Sequence, residues 1–279
     1  MMLNRFVFLM MISFTLGVSC GTPPNQSGAS SGEEAELIWS DEFDYEGLPD
    51  PSKWAYDVGD TCDRPFGCGW GNNEKQYYTE EDLDNARVEG GQLVIEAARE
   101  QMGQMDYTSA RLVTRGKQNF KYVRVDVRAQ LPSGRGTWPA IWMLPSDNTY
   151  GGWPQSGEID IMEHVGYAPD SILGTVHTEA FNHTIGTQKG GAIRIPDAES
   201  AFHIYSISWT PEKIDFMVDD QVYFTFDHTQ EGAAEWPFDQ PFYLIMNIAV
   251  GGNLGGVEGV DPDIWPQKML VDYVRVYQL

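Results

Sequence analysis

Ser156-Gly157-Glu158-Ile159-Asp160-Ile161-Met162-Glu163-His164 sets three acids among apolar residues in what reads as a β-strand. Side chains alternate between the two faces of a strand with a period of two, so Glu158 and Asp160 share a face and Ile159 and Ile161 share the other. Strict alternation would put Glu163 with the isoleucines. One extra residue in the strand shifts the phase by one, so a β-bulge at Met162, or beside it, returns Glu163 to the face of Glu158 and Asp160. Four effective steps of about 3.3 Å then separate the two Glu backbones by roughly 13 Å. Side chains leaning toward each other across that span can approach the ~5–5.5 Å carboxyl spacing that retaining glycoside cleavage requires. An aspartate between two glutamates holds a proton or a hydrogen bond and drives their proton affinities apart. The plainer reading is an edge strand with an acidic solvent face. Pro154, Gly157 and the nearby tryptophans are odd company for such a face.

Outward from this stretch, strand signals dominate. Gln92–Ala97 and Lys121–Arg128 alternate, the latter with Val123, Val125 and Val127 on one face and mostly charged groups on the other. Ile204–Trp209, Phe242–Ala249 and Leu270–Tyr277 read the same way. Lys213–Val218 and Val222–Phe226 flank Asp219-Asp220-Gln221, which signals a hairpin. No stretch sustains a 3.6-residue period over three turns; short segments near 80–85 and 229–235 are candidates for helical turns. Many strands joined by Gly/Pro-rich connections predict an all-β fold, a β-sandwich or jelly roll. A chain of 279 residues is long enough for one such domain with a sizeable core.

The net charge is −23. Such a surface repels nucleic acid and anionic membranes, and it suits a neutral or cationic substrate. At the N-terminus, Arg5 precedes the apolar run 6–18, which reads as an export signal too short to span a membrane comfortably. Val18-Ser19-Cys20 resembles the end of a bacterial lipoprotein signal, in which Cys20 is lipidated, although Gly17 departs from the usual aliphatic residue. Residues 1–20 are therefore read as a signal peptide of lipoprotein type, with an ordinary secretory signal as the alternative. The destination is the outer membrane or cell surface in the first case and the medium in the second. Residues 21–36 are rich in Pro, Ser, Gly and Gln and read as a disordered tether. The folded domain is assigned to 37–279. With Cys20 lipidated, Cys62 and Cys68 remain. Export permits a disulfide between them, and two free thiols are the alternative.

Trp138-Pro139-Ala140-Ile141-Trp142 places two indoles on one strand face around a small residue. Flat sugar faces stack on such platforms, while the indole N–H reaches a hydroxyl. Filling the core is the competing use. Trp153, just before the acidic strand, favours a sugar-lined cleft.

Several stretches, in order, resemble a bacterial laminarinase, a β-1,3-glucanase of glycoside hydrolase family 16. They are Gly69–Glu74, Gln76–Thr79, Trp138–Pro145, Gly157–Gly166, Gly174–Thr178 and Asn247–Asn253, and the likeness spans roughly 37–279. The extra residue in the acidic motif is found in laminarinases and several algal-galactan hydrolases and is missing from lichenases. The resemblance implies a jelly roll with an open substrate cleft on its concave sheet. It gives Glu158 the role of nucleophile, Glu163 that of acid and then base, and Asp160 that of assisting carboxylate, with retention by double displacement and no cofactor for catalysis. It matches Trp138, Trp142 and Trp153 to sugar-stacking positions, His177 to a histidine facing the acids from the neighbouring strand, and Asn72, Arg111 and Asn247 to polar cleft positions. It further implies a structural calcium ion on the convex side, held by Glu42, the Gly90 carbonyl and Asp272; oxygen donors suit that ion. A monomer acting on β-glucan is expected. Other substrates on the same fold, mixed-linkage β-glucan or an algal galactan, stay open, as does a non-catalytic β-glucan-binding module, against which the intact acid set argues. One departure is Leu254-Gly255-Gly256-Val257, where the family usually continues Trp-Pro-Gly after Gly251-Gly252-Asn253.

Overall fold

The computed structural model describes residues 35–65, 67–229 and 232–279. The signal segment, Cys20 and most of the tether lie outside them. Among the described residues, seventeen strands follow in chain order: β1 (Leu37–Asp41), β2 (Ala55–Tyr56), β3 (Gln76–Tyr78), β4 (Ala86–Glu89), β5 (Gln92–Ala97), β6 (Tyr107–Ser109), β7 (Arg111–Val113), β8 (Val123–Gln130) and β9 (Thr137–Pro145). Then come β10 (Glu158–His164), β11 (Ser171–His177), β12 (Lys189–Arg194), β13 (His203–Trp209), β14 (Lys213–Val218), β15 (Gln221–Asp227), β16 (Phe242–Val250) and β17 (Gln267–Gln278).

Two antiparallel sheets form a sandwich. One has the order β15-β14-β13-β8-β17-β5-β4, with β1 added along β17; the other runs β12-β11-β10-β9-β16-β7-β2. β3 and β6 make a small parallel pair at the side. The alternating stretches occupy the places their patterns predict. Val123, Val125 and Val127 of β8 are sealed in the core, while Arg124 on the opposite face pairs with Asp126 at 2.7 Å. The β14–β15 hairpin turns on Asp219 and Asp220, both at positive φ, which matches the right-handed twist of the two strands.

The core between the sheets is built from one face of every long strand. Ile141 and Met143 of β9, Ile159 of β10 and Leu244, Met246 and Ile248 of β16 meet Val125, Val127, Tyr205, Ile207 and Phe216 from the other sheet. β16 is buried along its whole length, with β9 and β7 on its two edges, the core beneath it and the bulky side chains of Trp142 and Arg111 beside its outer face. Next to the start of β1, the Gln278 N–H donates to the Glu36 carbonyl at 2.9 Å.

Residues 82–85 and 232–236 form turns closed by hydrogen bonds to Asp82 and Gly232. The short helical pieces lie elsewhere, at His183–Ile185 and Gly252–Gly255. Gly166, just past β10, is where the acidic strand leaves the sheet. A Cβ there would sit 1.8 Å from the Gly134 carbonyl oxygen, and backbone cannot yield as a side chain can. Gly166→Ala is expected to cost about 2–3 kcal/mol of unfolding free energy, read as a lowered denaturant midpoint with unchanged slope.

Candidate active site

The bulge lies in β10 and creates the site. Against β9, Asp160 faces Trp142 and Met162 faces Ile141, so two steps on β10 oppose one on β9. Against β11, the register shifts between Asp160, paired with Thr175, and Glu163, paired with Leu173. Ile159, Ile161 and Met162 are all buried, while Glu158, Asp160 and Glu163 line the opposite face. Gly157 feeds the chain into this strand at φ 89°, where a Cβ would press on Pro237 and Phe238. His164, at the end of the motif, plays a structural part: its ring is fully buried between the Ser171 carbonyl and Glu199.

The acids open into a cavity of about 630 Å³ on the outer face of the seven-stranded sheet. Its floor includes Trp138, Ala140 and Trp142 of β9, Asn247 of β16 and Arg111 of β7. The three tryptophans read from the sequence as sugar platforms are also hydrogen-bond donors. Trp138 Nε1 donates to Glu163 at 3.0 Å, Trp153 Nε1 to Glu158 at 2.8 Å and Trp142 Nε1 to Asn247 at 2.8 Å. Each glutamate is thus held by its own indole.

Electrostatics tie the three acids together. Burial, and then the charge of Asp160, push the Glu158 carboxyl well above its ordinary range; His177 and the Trp153 N–H oppose this. Burial and the charge of Glu163 push Asp160 up as well. Glu163 is raised by burial, against the Trp138 N–H and His177. Three carboxyls so placed share fewer than three negative charges and titrate as a set. The Trp153 N–H favours the ionised form of Glu158. Its loss in Trp153→Phe is expected to move the acid limb of the activity profile to higher pH, by about one pH unit. A kcat/KM profile of the variant checks this.

His177 stands on β11 directly opposite Glu158. Its Nε2 lies 3.3 Å from Asp160 and 3.8 Å from Glu158, so its ring faces the acids, packed against the cavity-lining rings of Trp153 and His183. Arg111 is no surface charge. Its guanidinium lies between the rings of Trp70 and Trp142, at 4.7 and 4.6 Å, with Asp57 at 3.1 Å. Asn72 lines the cavity and donates to Glu74, and Asn247 donates to the Tyr78 hydroxyl, which also reaches Glu74. Burial raises the Glu74 carboxyl, against the Arg111 charge.

Several lining residues escaped the sequence reading. Trp70 and Glu74 sit inside the quoted Gly69–Glu74 motif. Arg115 pairs with Asp57 and Tyr243. His183 stacks near Trp153, with ring centroids 5.0 Å apart. A signal for its turn was available: Asn182 caps Thr184, and Gly186 closes in the left-handed region.

Other assignments lie at the cleft rim or beyond it. Cys62 and Cys68 form a disulfide. Gly252–Gly255, in the departing loop, packs against Trp138, and the Asn253 N–H donates to the Asn72 carbonyl at 2.7 Å. Glu42 makes a two-pronged pair with Arg275 at 2.8 and 3.0 Å, and Asp272 accepts from Arg128 at 2.6 Å. The Gly90 N–H donates to Glu46. Oxygen donors are right for calcium, but an ion there competes with two guanidinium groups.

Residues 67–275 match the family described as glycosyl hydrolases family 16. The chain belongs to this family. A beta-glucanase of Rhodothermus marinus is 55% identical over 287 residues, covering 99% of this chain and 95% of that protein. A glucan endo-1,3-beta-glucosidase of Cryptopygus antarcticus is 41% identical over 258 residues, covering 86% and 90%. The X-ray structure of the laminarinase from Rhodothermus marinus superposes with a TM-score of 0.84 at 58% identity, covering 88% of this chain and 98% of that one. The sandwich and the family 16 resemblance read from the sequence therefore both stand.

Proposed function

We propose that this family 16 chain hydrolyses internal β-1,3 linkages of a laminarin-type glucan with retention of configuration. The observation that carries the reading is the pair Glu158 and Glu163 on one face of a bulged strand, each held by a tryptophan N–H. The Glu158 carboxylate attacks the anomeric carbon while Glu163 protonates the departing glycosidic oxygen. Glu163, now ionised, takes a proton from the water that releases the glycosyl-enzyme. Asp160, between them, lends or withholds its proton and keeps Glu163 protonated while Glu158 is charged. The indoles of Trp138, Trp142 and Trp153 offer stacking faces. Asn72, Arg111 and Asn247 supply polar contacts, with the neutral character of the sugar matching a floor whose Arg111 charge is already balanced by Asp57.

The test is product analysis on laminarin, curdlan, lichenan, agarose and carrageenan. Short oligosaccharides from laminarin and curdlan support the proposal; cleavage of lichenan as well broadens it to mixed-linkage glucan. Activity confined to a galactan overturns the substrate. Glucan binding without cleavage turns the protein into a binding module.

The same proposal includes export as a lipoprotein through Cys20, or secretion, and action as a monomer. Among the described residues no helix is long and apolar enough to cross a membrane. It also includes a structural calcium ion at Glu42, Asp272 and the Gly90 carbonyl. Calcium in millimolar excess is then expected to raise the melting temperature over that in EDTA, by the mass-action stabilisation of any ligand of the folded state. An unchanged melting temperature removes the ion from the account.

A further inference from the structure

We infer that Glu158, Asp160 and His177 form a site for one divalent transition-metal ion of the zinc class, which binds in the cleft and excludes substrate. One ligand atom from each residue falls within 4.8 Å of the other two. His177 Nε2 lies 3.3 Å from Asp160 Oδ2 and 3.8 Å from Glu158 Oε1. A tetrahedral ion with bonds of about 2.0–2.1 Å separates its ligand atoms by about 3.3 Å, so small side-chain movements complete the first three positions. The fourth faces the cavity and is left for water.

Two unpartnered atoms point the same way. Asp160 is 3% exposed, and its Oδ2 has no hydrogen-bond partner; His177 is 6% exposed, and its Nδ1 has none. A buried carboxylate oxygen whose nearest nitrogen, His177 Nε2 at 3.3 Å, makes no well-formed hydrogen bond to it is poorly satisfied, and a cation between the two satisfies both. With the imidazole proton on Nδ1, the Nε2 lone pair is free for the metal. The orphaned Nδ1 lacks the outer acceptor that strengthens metal-binding histidines, which points to moderate, reversible affinity. One nitrogen and two carboxylates select zinc, cobalt, nickel or copper over calcium and magnesium, which prefer an all-oxygen shell. Bond formation here is coordination alone, with displaced protons passing to solvent.

Exclusion of substrate rests on the glycosidase proposal; binding of the ion does not. The test is therefore a direct titration of the full chain with Co²⁺, read by visible absorption, followed by displacement with Zn²⁺. One ion per chain is expected, with affinity falling at least about tenfold in His177→Gln and in the near-isosteric Glu158→Gln. His203 is the control, since it too stands between two carboxylates, Asp197 at 3.2 Å and Asp219 at 2.6 Å. His203→Ala should leave the titration unchanged. In steady state, Zn²⁺ should inhibit competitively with soluble glucan and be reversed by EDTA. No spectral change up to about millimolar metal, or binding that survives both cleft variants, or loss of binding in His203→Ala, overturns the site. Binding at the cleft in a chain that cleaves no glucan leaves the site standing and removes the glycosidase proposal instead.

Discussion

Glu158→Gln is expected to lower glucan hydrolysis by about 10⁴-fold or more while leaving oligosaccharide binding nearly intact. The amide cannot form the glycosyl ester, so no intermediate accumulates. The Gln side chain keeps the volume and still accepts the Trp153 N–H, so the stacking faces of the cleft are undisturbed. Removing a buried carboxylate from a crowded set also relieves repulsion, and the variant should melt no lower than the parent. A second variant, Glu158→Ala, opens space beneath the anomeric carbon. Azide entering there should restore turnover and give a product of inverted configuration. Initial rates on laminarin, with affinity measured separately by calorimetry, check the first result. Turnover within tenfold of the parent sinks the assignment of the nucleophile.

Glu163→Ala is expected to lose about 10²–10⁴-fold on laminarin, whose leaving group needs a proton. Aryl glycosides that leave as stable phenolates need no such help in the first step. On them, the intermediate should form at near-parental rate and then stall, because no base activates water, giving a burst of phenolate. The variant should also lose the alkaline limb of the pH profile. That limb reports the protonated form of Glu163, which burial keeps populated to higher pH than for a free glutamate. The sign follows from the role: a raised acid extends activity upward in pH, and its removal abolishes that dependence. Equal losses on laminarin and on an activated aryl glycoside, with no burst, would falsify the acid role.

Much of the site was legible because a strand is a strict ruler. Period two put Glu158 and Asp160 together, and only a bulge could recover Glu163; the shift between Asp160 and Met162 is that bulge. The same ruler placed Trp138 and Trp142 beside each other over Ala140. What a ruler along one strand cannot show is contact between strands far apart in sequence. Arg111 reached the cleft only through the resemblance, because Trp70, Trp142 and Asp57 converge on it only after β7 docks against β16. His177 shows the same limit: only the register of β11 against β10 sets its ring beside Glu158 and Asp160. The indole hydrogen bonds were hidden too, since composition favours stacking for tryptophan and says nothing of which carboxylate its N–H meets. The helical turn Gly252–Gly255, which runs into the departing stretch, lies against Trp138 because Gly252 and Gly255 carry no side chain there.

The central claim is double displacement by Glu158 and Glu163 on a β-glucan, and one measurement addresses it directly. Laminarin is hydrolysed in an NMR tube, and the anomeric protons of the new reducing ends are followed before mutarotation. The account predicts that the β-anomer appears first and the α-anomer grows in later, only as fast as free sugar mutarotates. First appearance of the α-anomer would mean direct attack by water and would contradict the covalent role of Glu158.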